Sequence, residues 1–220
     1  MVRPGAPAQP EAPGNAAKAT RRGDSASQLL EATSQLLAAR NVVDVSLSEI
    51  AQASGLNSAL IKYHFGSKDG LLLALVRRDA TSSLEPLDEL VKMTIPPEQK
   101  VRLHVAGVIK TYIRYPYLNR LIHLLLTHSA ARIAAEIANF FVKPLVEAQS
   151  KILDEGVAQG VFRRVDPMFF YYSMIGACDH MFFARYSLKF AFGVDEITSK
   201  LRNNYTEYVA DMTIGMLRKD

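Results

Sequence analysis

With 220 residues, 49% hydrophobic and 22% charged, the chain can fill the core of one or two packed domains, which excludes a wholly disordered protein. Its net charge of +4 sits mostly in residues 1–23, where Arg3, Lys18, Arg21 and Arg22 outweigh Glu11. The rest is nearly neutral, so bulk charge is no argument for nucleic acid. Cys178 is the single cysteine, so no intrachain disulfide can form. No uninterrupted apolar run reaches the roughly 18 residues of a membrane span, and no apolar signal core opens the chain. The expectation is a cytoplasmic protein that does not enter a membrane.

Residues 1–23, with prolines at 4, 7, 10 and 13 and no apolar periodicity, read as a disordered tail. Within it Arg21 and Arg22 read either as inert or as an arm touching phosphates or a minor groove. Leu29, Leu30, Leu36 and Leu37 then share one side of a first helix, ahead of a loop at 41–45. Ser46 is a good N-cap, and Glu49 three residues later completes a capping box. Ile50, Ala51 and Ala53 give the second helix an apolar side, and Gly55 supplies the positive φ that ends it. Leu56 plugs the turn. Asn57 or Ser58 caps the third helix, in which Leu60 or Ile61, with Phe65, faces inward. Ser58, Ala59, Lys62 and Tyr63 are then left facing out. Gly66-Ser67 stops this helix and starts a fourth at Lys68. Two helices joined by a short turn containing Gly form a helix–turn–helix, and Ser58, Lys62, Tyr63 and His64 have the size and chemistry to enter a major groove. Between Gly55 and Lys68 there are two lysines, one histidine and no acid.

This run resembles the DNA-binding domain of the TetR family of bacterial transcriptional regulators. The resemblance rests on Ile50-Ala51, Gly55-Leu56, Tyr63-His64-Phe65, Ser67-Lys68 and Leu71-Leu72, and covers roughly residues 25–78. Many members carry Tyr where this chain has Lys62. The resemblance implies that Ser46, Tyr63 and His64 contact phosphates, while Ser48, Ser58, Ala59 and Lys62 face base edges. Asn57 joins this set at the start of the third helix. Lys68, at a helix N-terminus, donates to phosphate with help from the helix dipole.

Further along, Leu71, Leu72, Leu75 and Val76 stripe a helix that links two layers. Pro86 and Pro96-Pro97 break the chain. Val101, Val105, Val108, Ile109, Tyr112 and Ile113 follow a helical period, closed by Tyr115-Pro116. Residues 117–127 form a helix apolar almost all round, hence largely buried. Residues 131–158 form a longer helical region that Pro144 kinks or splits. Asp166-Pro167 starts a helix to about Leu188, and a last one runs from about Asp195 to Leu217. The expected fold is all-α, with about nine helices. A helix–turn–helix domain spans 24–67, and a linker helix with a larger C-terminal bundle spans 68–220.

The last helix carries Ile197, Leu201, Tyr205, Tyr208, Met212 and Met216 at helical spacing, and the one before it Phe170, Met174, Cys178 and Met181. The family resemblance implies that these two helices pair with a second copy into a four-helix bundle, giving a homodimer suited to a pseudo-palindromic operator. It also implies a small-molecule pocket. Tyr112, Tyr115, His123, His128, Asp179, His180 and Arg185 are polar groups in apolar surroundings. Tyr112, Tyr115, His123, Met174 and His180 are the residues expected to line it, around a mostly apolar molecule. No His-x-x-x-His, Gly-rich phosphate loop or nucleophile elbow occurs, so neither catalysis nor a metal or cofactor is expected. The expected function is a dimeric one-component repressor that binds double-stranded operator DNA and is released by its effector. The alternative is an architectural DNA-binding protein without an effector.

Overall fold

The computed structural model describes residues 14–40 and 43–219; for 14–23, 183 and 185 it describes the backbone alone. The helices are α1 (Gly14–Arg40), α2 (Leu47–Ser54), α3 (Ala59–Phe65), α4 (Lys68–Lys92), α5 (Pro97–Arg114) and α6 (Leu118–His128). They continue as α7 (Ala131–Ile137), a π turn (Ala138–Val142), α8 (Lys143–Ala158), α9 (Pro167–Phe183), α10 (Arg185–Phe192) and α11 (Ser199–Leu217). No strand occurs among the described residues, only an isolated antiparallel bridge between Phe162 and Arg218. The chain is all-α, as its periodicity predicts.

Two cores lie along α4. In the first, Leu29 and Leu37 of α1, Ile50 of α2 and Ile61 of α3 meet Leu71, Leu72 and Leu75 of α4, every one essentially inaccessible. Burying each such side chain contributes about 1.5–3 kcal/mol, which fixes α2 and α3 against α1 and α4. Leu118, Leu121 and Leu125 of α6 join the same cluster, so the larger domain rests directly on the head. The second core gathers Leu87 and Leu90 of α4, Val101 and Val105 of α5, Ile152 of α8, Met174 and Cys178 of α9 and Ile214 of α11. Burial pushes the Cys178 thiol up to about 12, so it is an inert core group.

Several boundaries differ from the sequence reading, the start of the last helix at Ser199 rather than about Asp195 among them. The α1 backbone is helical from Gly14, inside the stretch assigned to a tail; the tail's residues 1–13 lie outside the described residues. Pro86 does not break the chain: α4 runs through it to Lys92, because Leu87 and Leu90 anchor the far side in the second core and outweigh the hydrogen bond that proline removes. The region 131–158 is interrupted just before Pro144, as the sequence reading has it, by a π turn in which the Lys143 N–H reaches back to the Ala138 carbonyl, a wider turn that accommodates the proline ring. The helix from Pro167 stops at Phe183, and α10 follows it. Nor is α6 buried all round: Leu118, Leu121, Ile122 and Leu125 are inside, while His123, Leu126 and His128 are exposed.

Candidate nucleic-acid interface and effector cavity

The head is built by local capping. The Glu49 N–H donates to the Ser46 hydroxyl at 3.2 Å, and the Ser46 N–H donates back to the Glu49 carboxylate at 2.7 Å. The Ser46 hydroxyl itself donates to Glu49 at 2.7 Å, so the Ser48 hydroxyl, 2.9 Å away, must be the donor of their shared bond. The Ser46 backbone N–H, then its hydroxyl, then Arg40 hold the Glu49 carboxyl down at about 2. Gly55 takes the left-handed conformation, φ 67°, and the Leu56 N–H closes the turn on the Ala51 carbonyl. Asn57 caps α3, its Oδ1 accepting from the Ala59 N–H at 2.8 Å.

Ile61 is the inward anchor of α3. Asn57, Ser58, Ala59, Lys62 and Tyr63 are all exposed, which sets the polar side of the short helix free of the head. His64 is half-buried, and its Nε2 shares a 2.8 Å hydrogen bond with Ser25 of α1. Gly70 fixes the next junction: a Cβ there would sit 2.0 Å from the Phe65 carbonyl oxygen, so only glycine lets α4 start hard against the end of α3. Ser67 caps α4 by accepting from the Gly70 N–H. Lys68, in the first turn of this long helix, reaches Asp44 only at 3.5 Å, a loose pair of the kind that contributes little at a surface.

A cavity of about 380 Å³ opens between α4, α5, α6, α8 and α9. Its walls are apolar, with Leu84, Leu87, Val108, Leu118, Phe141 and Leu145 among them, and Lys110, Thr111, Arg114 and Tyr115 on the α5 side. That volume lies in the roughly 300–1,000 Å³ range of small-molecule sites. Tyr112 lines it with a phenol that burial, then the charge of Asp179, keeps well above its ordinary pKa. His104 also lines it; burial pulls its imidazole down to about 4, so it is neutral there. Its Nε2 shares a 3.0 Å hydrogen bond with Gln149, whose Oε1 is buried and unpartnered.

Residues 29–75 match the family model for bacterial regulatory proteins of the tetR family, and residues 94–219 match that for the tetracyclin repressor-like C-terminal domain. The chain belongs to the TetR family. The HTH-type transcriptional regulator BetI of Brucella canis is 28% identical over 79 residues, 36% of this chain, and the match spans 40% of that relative. The transcriptional repressor NicS of Pseudomonas putida is 22% identical over 201 residues, covering 87% of this chain and 91% of the relative. Among solved structures, the regulator FadR from Bacillus subtilis, in complex with stearoyl-CoA, superposes with a TM-score of 0.65 at 18% identity. That superposition covers 86% of this chain and 97% of FadR. The chain is thus a TetR-family regulatory protein, with a helix–turn–helix head and a tetracyclin repressor-like C-terminal domain.

Against this TetR frame the expected residues divide. The head brings Ser46, Ser48, Asn57, Ser58, Ala59, Lys62, Tyr63, His64 and Lys68 onto one end of the molecule. Two of them are otherwise engaged: the Ser46 hydroxyl proton goes to Glu49, and His64 is tied to Ser25. Of the five expected cavity residues, Tyr112 and Tyr115 line the cavity. Three do not. His123 stands on the exposed side of α6. Met174 is packed in the second core, where it receives the Cys178 thiol at 3.6 Å. His180 lies on the exposed side of α9. Of the other polar groups considered, His128 is exposed and Asp179 half-buried.

The sequence reading missed two buried polar clusters. One is the His104–Gln149 pair. The other joins three helices: the Tyr117 hydroxyl donates to Asp79 at 2.6 Å, and Ser34 of α1 lies 2.6 Å from the same hydroxyl. Since Tyr117 gives its proton to Asp79, Ser34 is the donor to Tyr117. Arg78 donates to the other Asp79 oxygen at 2.7 Å and reaches Glu31 of α1 at 3.3 Å. Both clusters announce themselves as polar residues on apolar stripes: Asp79 continues Leu72, Leu75 and Val76, and His104 sits between Val101 and Val108.

Proposed function

We propose that this regulator is a homodimeric repressor that binds a pseudo-palindromic duplex through α3 and leaves it when a small molecule occupies the cavity. The observation that carries the reading is α3 itself. It is anchored by one buried residue, Ile61, while Ser58, Ala59, Lys62 and Tyr63 are exposed on its other side. In this reading Ser48, Ser58, Ala59 and Lys62 meet base edges, and Tyr63 and Lys68 meet phosphates. Lys68 exchanges its loose pair with Asp44 for a phosphate at the N-terminus of α4. Ser46 and His64 hold α2 and α3 in place, and Asn57 caps the reading helix.

The homodimer is supported by a face of α9 and α11 that lacks a cover. Phe169, Tyr172, Tyr208 and Met212 are exposed by 46–68%. Gly176 and Gly215 on the same two helices have open space where a Cβ would stand, which allows close approach of a partner helix. The paired helices differ in detail from the sequence expectation: Phe170, Met174 and Cys178 face the protomer's own core, so the α9 seam uses the neighbouring stripe, which also carries His180. A cavity of 380 Å³ favours an effector-controlled regulator over an architectural DNA binder, and FadR, of the same fold, holds stearoyl-CoA. Tyr115 and Leu118 line the cavity on either side of Tyr117, whose hydroxyl reaches α4 and α1. An occupant that moves this corner therefore biases the position of the head.

Selection of bound duplexes from random DNA tests the reading, with an inverted repeat as the expected result. Lys62→Ala should change preference at one base pair by about 1–3 kcal/mol. Lys68→Ala should weaken binding to every sequence and shallow the salt slope by about one unit. Selection that enriches no motif overturns it.

A further inference from the structure

Resting on the reading of the cavity as the effector site, we infer that its occupant is an amphipathic anion: an apolar body carrying a negatively charged head that docks against Lys110 and Arg114. The lining contains no aspartate or glutamate, while Lys110 and Arg114, one turn apart on α5, both belong to it. Neither has a carboxylate within ion-pair distance among the described residues. On the same helix Arg102, by contrast, is paired with Glu207 and Asp211, as Arg77 of α4 is with Glu136. The guanidinium of Arg114 sits 5.2 Å over the Tyr115 ring, which holds its charge at the mouth rather than in solvent.

Beyond this pair the walls turn apolar. Leu87, Leu90, Leu103, Phe141 and Ile175 offer no charge to satisfy, and a cationic body would lose hydration with nothing to replace it. The buried His104 is neutral and already shares a bond with Gln149. Thr111 and Tyr112 lie beside the cations on α5. The Thr111 hydroxyl already donates to the Gly107 carbonyl at 3.0 Å, so charge discrimination comes from Lys110 and Arg114. A carboxylate and a phosphate-bearing thioester share this chemistry, and the two sources are separated by the probes.

The test uses four ten-carbon probes below their micelle concentrations: decanoate, decanoyl-CoA, decanol and decylamine. Binding to the full-length protein is measured by calorimetry, and release of the selected operator by fluorescence anisotropy. Decanoate or decanoyl-CoA should bind at least tenfold more tightly than decanol and decylamine, and should release DNA. Preference for decanoate assigns a free carboxylate, and preference for decanoyl-CoA a phosphate-bearing head. Lys110→Gln combined with Arg114→Gln should erase the tenfold difference. Gly107→Leu, which fills the cavity from a position with open space around it, should abolish binding of all four. If decanol or decylamine binds as tightly as the anions and is blocked by Gly107→Leu, the charge assignment is wrong while the cavity reading stands. If binding survives Gly107→Leu, or none of the four binds, the assignment falls; in the first case the cavity reading falls with it.

Discussion

Replacing Tyr117 with Phe removes one oxygen from the junction of α1, α4 and α6 and leaves the ring in place. The loss is a 2.6 Å bond to Asp79, a side chain with no solvent exposure, and a 2.6 Å bond from Ser34. Asp79 keeps only the Arg78 Nε donor on its other oxygen. A hydrogen bond to a charged group contributes about 1.5–3 kcal/mol, and a buried acceptor stripped of its donor sits toward the upper end. Ser34 is half-buried and can turn to water, so its share is small. The expected cost is therefore about 2–3 kcal/mol, or roughly 4–12 °C in Tm for a chain of this size. The chain has no tryptophan, so urea unfolding is followed by circular dichroism, at one fixed protein concentration because any self-association would shift the midpoint. The m-value should not change. Ser34→Ala in the Tyr117→Phe background should cost less than it does alone, since the bond it removes is already gone. A loss below about 0.5 kcal/mol, or costs that add to within that margin, would show that the three helices are not joined through this hydroxyl.

Two further perturbations reach other parts of the molecule. His104 is held at about 4 in the fold against an ordinary 6.5, so the unfolded chain takes up this proton first. Its contribution is complete above about pH 6.5 and is lost as pH falls toward 4, on the order of 3 kcal/mol in all. His104→Gln should flatten that part of the stability–pH curve, and parallel curves for the two proteins would refute the burial argument. Tyr208→Asp puts a charge on the exposed face of α11 and should yield monomers with weakened operator affinity. Sedimentation of the unmodified protein as a monomer at micromolar concentration would remove the basis for that expectation.

The head was the most legible part of the chain because its determinants are local. Ser46 with Glu49, Gly55, Gly66 and Ser67 each fix a boundary within a few residues of sequence. Ambiguity there was confined to equivalents, Asn57 or Ser58 as cap and Leu60 or Ile61 as anchor; the local bond to the Ala59 N–H chose Asn57, and packing against α1 and α4 chose Ile61. The cavity was half legible. Tyr112 and Tyr115 end a helix whose apolar side is clear, but α6 and α9 are apolar around most of their circumference. Periodicity then names several candidate faces and cannot say which meets its own core, a partner or solvent, so His123, Met174 and His180 were misplaced. Pro86 misled for the opposite reason: a strong local signal was overridden by the long-range packing of Leu87 and Leu90. Asp79 and His104 were overlooked, although a polar residue on a buried stripe must find a partner.

The π turn at Ala138–Val142 also bears on how the chain tolerates changes in length. Ile137 and Leu145 both point at the layer formed by α4, one into each core. At about 100° per residue, eight α-helical steps between them would overshoot two full turns by about 80° and swing Leu145 toward solvent. The wider turn absorbs one residue and brings it back. Taking a single residue out of 138–142 leaves seven steps, within about 20° of two turns, so an unbroken α-helix would present the same two side chains inward. The same deletion in the middle of α5 would rotate everything beyond it by about 100°, carrying Lys110 and Arg114 off the cavity mouth. Single-residue length variation among relatives should accordingly collect at this turn and be absent from α5.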